Sequence, residues 1–158
     1  MAVSQIEQLV SEYGYFIIFA SMVLGLIGLP IPDEILLTVS GYFVRNGHLT
    51  YFLTIVVATL SSSLGMAISY TIGKYSGKLF TKRFQHRKAY TWAQKCIHRY
   101  GHFAVIFGYY IPGVRHMTSY ITGIMGMPFK FYMINVVIGA FLWGNVFIGI
   151  GYFLGIME

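Results

Sequence analysis

The chain has 158 residues, of which 56% are hydrophobic and only 10% charged, with a formal net charge of +6. An ordinary soluble domain carries about a quarter charged residues, so this balance excludes a water-dissolved globule and makes lipid the natural solvent. One domain is expected, and its 18% of aromatic residues suits interfacial belts better than a core in which every hydroxyl must be satisfied.

The N-terminus, MAVSQIEQLVSEYG, lacks a basic n-region and carries Glu7 and Glu12, so no cleavable signal peptide is expected. Uncharged runs follow from Tyr13 to Pro32, Tyr51 to Ile72 and Phe131 to Met157. Each reaches the roughly 20 residues that a helix needs to cross a hydrocarbon core. Three more apolar runs, Ile35 to Val44, Phe103 to Val114 and Met117 to Phe129, fall short of that length and fit re-entrant segments.

The breaks between the short pieces are specific. Gly28-Leu-Pro-Ile-Pro-Asp-Glu34 interrupts the first half and Tyr110-Ile-Pro-Gly-Val-Arg-His116 the second. Pro30, Pro32, Pro112 and Gly113 stop helices, and broken backbone at membrane depth is tolerated only inside protein or beside water. Gly73 and Gly77 recur 78 positions later as Gly151 and Gly155, and Pro32 recurs 80 later as Pro112. The expected fold is an all-α polytopic membrane protein of two inverted repeats, each a re-entrant helical hairpin followed by a spanning helix. The repeats cover about 13–77 and 102–158, with a basic linker at 78–101. An odd number of crossings per repeat makes the two opposed, which is a transporter architecture.

Lys74, Lys78, Lys82, Arg83, Arg87, Lys88, Lys95 and Arg99 are eight of the 11 Lys and Arg. The positive-inside bias puts loop 74–101 in the cytoplasm, Lys130 on the same side and the C-terminus outside. Topology and attraction to anionic head groups account for this charge, so nucleic acid is not an expected partner. The only cysteine, Cys96, cannot form an intrachain disulfide and reads as incidental.

Ionisable groups within apolar sequence usually face a cavity and mark a transport path. Asp33 and Glu34 are the candidates in the first break, Glu34 foremost, and Arg115 and His116 those in the second. A guanidinium offers a planar fork that fits a phosphodiester, and a carboxylate can accept from an ammonium head group. The plain structural alternative is a Glu34 to Arg115 ion pair that locks two hairpins together. Asn135 and Trp143 read as packing residues on the last helix, and Ser61 to Ser63 as hydroxyls bonded back to their own helix. The glycine pairs allow close helix approach within one chain or in a homodimer.

Three activities fit. Lipid translocation follows from inverted hairpins with central charges and no nucleotide-binding motif. A lipid phosphatase would use Arg115 with His116 or Ser119 as nucleophile, but the constellation is thin. A proton or cation carrier would bind its ion at Asp33 and Glu34. Neither a metal site nor a cofactor is expected.

The segment Gly28 to Glu34 with Gly41, Gly65 through Gly77, Phe107 to Gly123 with Pro112 and Arg115, then Asn135, Gly139 and Trp143 resemble the DedA (VTT domain, SNARE-associated) family. The resemblance implies two opposed re-entrant hairpins and flippase or scramblase activity in a bacterial cytoplasmic membrane. It also implies Glu34 as the membrane carboxylate and Arg115 as the second-hairpin arginine; Asn135, Tyr109 and Asn46 are expected as secondary polar lining. Asn46 stands where the family often has an acid and Tyr109 where it has a first arginine, so proton coupling is not carried over. Short members resemble the phosphatidylethanolamine branch, with undecaprenyl phosphate as the alternative lipid.

Overall fold

A computed structural model of the protein describes residues 2–25, 33–84, 86, 88–101, 103–111 and 114–155. The described residues are helical and contain no strand: α1 (Ala2–Gly25), α2 (Asp33–Arg45), α3 (Tyr51–Phe84), α4 (Lys88–Tyr100), α5 (Phe103–Tyr109), α6 (Val114–Ile124) and α7 (Phe129–Leu154). Pro30, Pro32, Pro112 and Gly113 lie outside the described residues, so the expected hairpin breaks are flanked but not seen.

Two helices are long and apolar enough to cross a membrane, Tyr51–Gly77 in α3 and Phe129–Leu154 in α7. At 27 and 26 residues they reach about 40 Å, against a hydrocarbon core of roughly 30 Å. Within the described residues the apolar part of α1 is Glu12–Leu24; the expected run from Tyr13 to Pro32 continues into positions 26–32, outside the described residues. At 13 residues, α2 reaches only about 20 Å.

The basic linker is also more ordered than the sequence suggests. α3 continues past Gly77 to Phe84 through a non-helical residue, Ser76 (φ −108°, ψ 15°). α4 then forms an amphipathic helix packed on α5 and α6, with Ile97 buried and Lys95, His98 and Arg99 exposed. Lys88, Lys95 and Arg99 thus stand on the solvated face of a docked helix.

The chain divides into two compact units, Met1–Ser62 with Phe141–Glu158, and Ser63–Ala140. In the first, α1 packs on α2, and Leu37, Ile55, Trp143 and Ile148 are buried. The second buries Met66, Tyr70, Val105, Ile121 and Tyr132.

Short helices end on glycine. Gly47 (φ 80°) follows α2, with His48 N–H donating to Phe43 C=O and Gly47 N–H to Val44 C=O. Gly126 (φ 72°) follows α6 with the same two bonds, Met127 to Thr122 and Gly126 to Gly123. Both are Schellman caps, which need a left-handed residue and so favour glycine.

Several buried hydroxyls are satisfied locally, but Ser63 Oγ, expected to bond back to its own helix, and Thr59 Oγ1 have no hydrogen-bond partner among the described residues. Thr54 donates to Thr50 C=O at 2.9 Å, Ser61 to Val57 C=O at 2.7 Å and Ser69 to Gly65 C=O at 3.1 Å. This back-bonding is what a low-dielectric surround demands. Not every aromatic side chain lies at the surface. Tyr70 and Tyr132 are buried and stacked at 4.6 Å, with hydroxyls donating to the Met127 and Met66 carbonyls. Trp143 is buried too, as a packing residue.

Candidate functional site: two charged helix starts in a repeated frame

One contact occurs in both units. In the first, Gly41 of α2 lies against Ile148 C=O of α7, and Gly151 lies against Thr38 C=O in return. In the second, Gly123 of α6 lies against Tyr70 C=O of α3, and Gly73 lies against Tyr120 C=O. Any Cβ at these four glycines would collide with main-chain atoms, which cannot swing aside as a side chain can. The next turn repeats as well: a Cβ on Gly155 would come within 3.3 Å of the Tyr42 ring, and one on Gly77 within 3.3 Å of Ile124 Cγ1.

These contacts set a register. Thr38, Gly41 and Tyr42 correspond to Tyr120, Gly123 and Ile124, 82 positions on, while Ile148, Gly151 and Gly155 correspond to Tyr70, Gly73 and Gly77, 78 positions back. The glycine spacing read from sequence is therefore a structural repeat. Its glycines are occupied within the chain, which removes them as an argument for a homodimer.

Carried to the helix starts, the register pairs Asp33 with Arg115 and Glu34 with His116. The first turn of α2 holds two acids and that of α6 holds the two basic groups. Carboxylates suit the positive end of a helix dipole, whereas a guanidinium there is opposed by it. An anion bound at α6 would relieve that opposition through Arg115 and the positive end of the helix dipole.

Asp33 is buried at 3% exposure, and Glu34, Arg115 and His116 are half-buried. The Glu34 carbonyl accepts from Thr38 Oγ1 at 2.7 Å, and that of Arg115 from Ser119 Oγ at 3.0 Å. His116 Nδ1 is buried with no hydrogen-bond partner among the described residues. The acidic and basic pairs belong to different units.

Other expected site residues fall elsewhere. Asn46 is exposed in the turn after α2, its N–H bonded to Tyr42 C=O. Asn135 is buried and donates to Phe131 C=O of its own helix at 2.7 Å. Tyr109 is the last residue of α5. Ser119, considered as a nucleophile, is fully buried between Arg115 C=O and Met66 Sδ and is not accessible to substrate. Among the described residues no group of three or more His, Cys, Asp or Glu could hold a metal ion.

Sequence reasoning missed Arg45, whose Nη1 donates to the Tyr152 hydroxyl at 3.2 Å. Its isolation at the end of an apolar run, away from the basic linker, was the available signal.

The VTT domain matches residues 31–153, most of the chain. The chain belongs to the VTT-domain family. Relatives of this VTT domain include an uncharacterized membrane protein, YbfM, of Bacillus subtilis, 44% identical over 97% of this chain and 98% of that one. Undecaprenyl phosphate transporter A of the same organism is 29% identical over 97% of this chain and 78% of its own. An alkaline phosphatase-like protein of Lactococcus lactis subsp. cremoris is 28% identical over 95% and 75%. No solved structure matches. The VTT domain is thus a bacterial membrane protein of a family with a member named as a lipid transporter.

Proposed function

We propose that this VTT domain is a phospholipid translocase, moving a phosphate-bearing head group across the cytoplasmic membrane without chemical change. The observation that carries the reading is the repeated glycine contact, which sets Asp33 and Glu34 of one repeat equivalent to Arg115 and His116 of the other. In this reading the two repeats lie opposed in the membrane, each hairpin re-enters, and the charged helix starts serve one path. Arg115 and the first-turn N–H groups of α6 hold the phosphate, while Glu34, supported by Asp33, receives an ammonium.

A site with both signs of charge fits a zwitterion, so phosphatidylethanolamine is the proposed substrate. A second reading, a polyprenyl phosphate held through Arg115 alone, is favoured by the name of the 29% identical transporter. The phosphatase reading takes support from a relative's name, but the burial of Ser119 leaves His116 as its one named nucleophile.

The test is scrambling in proteoliposomes, with labelled phosphatidylethanolamine, phosphatidylglycerol and a polyprenyl phosphate compared for wild type, Glu34→Gln and Arg115→Ala. Selective flipping of phosphatidylethanolamine, lost in both variants, is expected. Flipping that survives Arg115→Ala removes the site, and inorganic phosphate released from a polyprenyl diphosphate turns the reading to an enzyme.

A further inference from the structure

Arg45 ends α2, beside the start of α3 and the end of α7. Its Nη1 donates to the Tyr152 hydroxyl, and its guanidinium carbon lies 5.3 Å from the centre of the Tyr152 ring. Tyr152 in turn meets Tyr51 edge to face at 6.3 Å, and the Tyr51 hydroxyl donates to Asn145 Oδ1 at 3.1 Å. A neutral phenol holds the guanidinium in place without cancelling its charge, and Arg45 remains exposed.

A groove of about 330 Å³ begins at this corner. Tyr51 and Asn145 stand at one end, and Phe52, Ile55, Val56 and Phe141 line its almost wholly apolar walls. All of these residues lie in the first unit, on apolar stretches of α3 and α7 long enough to span the membrane. A fixed cation above an apolar slot matches one kind of molecule present at high concentration around such a protein: a lipid with an anionic head and an acyl tail.

We propose that Arg45, Tyr152 and the groove between α3 and α7 form a resident site for an anionic phospholipid, its phosphate at Arg45 and one acyl chain along Phe52 and Val56. Charge complementarity selects the head group, and the groove selects for a chain. The site uses neither Glu34 nor Arg115, so it stands independently of the translocation reading.

The test is native mass spectrometry of the delipidated full chain, offered equal amounts of phosphatidylglycerol and phosphatidylcholine with identical chains. Wild type should retain phosphatidylglycerol about fivefold over phosphatidylcholine, the preference one interfacial cation supplies. Arg45→Gln should lose that preference, Arg45→Lys should keep it, and Val56→Phe should retain less of either lipid. On the unmodified protein, vesicle partitioning of the same lipids should show the preference fading as salt rises. A preference that persists in Arg45→Gln or at high salt overturns the head-group assignment. Unchanged retention in Val56→Phe overturns the groove.

Discussion

Gly41 of α2 lies against the carbonyl of Ile148 in α7, with no side chain between them. Gly41→Val should therefore fall at or beyond the upper end of overpacking costs, about 3 kcal/mol, because the atoms it strikes are main chain. Gly73, Gly123 and Gly151 should behave alike. Gly65 and Gly144 have open space where a Cβ would go, and alanine there should stabilise by up to about 1 kcal/mol. Thermal unfolding in detergent separates the two classes, and equal effects would refute the repeated crossing.

Glu34→Gln should discriminate between substrates. Removing one charge-assisted hydrogen bond weakens the ammonium contact by about 1.5–3 kcal/mol, roughly ten- to hundredfold in rate for phosphatidylethanolamine. A polyprenyl phosphate, which has no ammonium, should flip at nearly the wild-type rate. Parallel scrambling assays measure the ratio, and an equal loss for both lipids would contradict separate charge roles.

Ser119→Ala should keep transport. The hydroxyl it removes is buried and bonded to Arg115 C=O of its own helix, so the change should cost only about 1 kcal/mol of stability. Abolished transport in a folded Ser119→Ala protein would show that the hydroxyl has a chemical task.

Tyr132→Phe keeps the stacked ring but removes the donor to Met66 C=O. Stability should fall by about 1 kcal/mol. Tyr70→Phe, in contact with it, should give a non-additive double variant. Unfolding midpoints of the two single variants and the double variant test the coupling.

Opposed repeats predict opposite sides for two turns. On a Cys96→Ala background, a cysteine at Asn46 should react with an impermeant maleimide from outside intact cells, and one at Met125 only after permeabilisation. Labelling of both from the same side would remove the inverted arrangement.

The long helices were legible in the sequence because absence of charge over more than 20 residues is a strong signal for a spanning helix. The equivalence of Gly73 with Gly151 was legible too, since only glycine permits such an approach. The register between Gly41 and Gly123 was not: it is 82 positions, whereas Pro32 and Pro112 differ by 80, so proline matching alone misaligned the helix starts. The Tyr70 and Tyr132 stack escaped notice because periodicity does not say which hydroxyl will find a carbonyl. α4 was obscured by its own charge, its few apolar positions being spread through basic residues. Arg45 was visible as an isolated cation, but its meaning depends on Tyr152, 107 residues away.

The first unit is discontinuous in the chain: Met1–Ser62 is completed by Phe141–Glu158, and 78 residues, Ser63–Ala140, are made in between. At about 5–20 residues per second, α2, complete at Arg45, waits roughly 5–21 s during synthesis before Ile148 exists to cover Gly41. During that interval a bare main-chain face is open to the neighbouring nascent helices. A ribosome stalled between these segments would release a protein whose second unit is whole and whose first lacks the part of α7 that packs on α2.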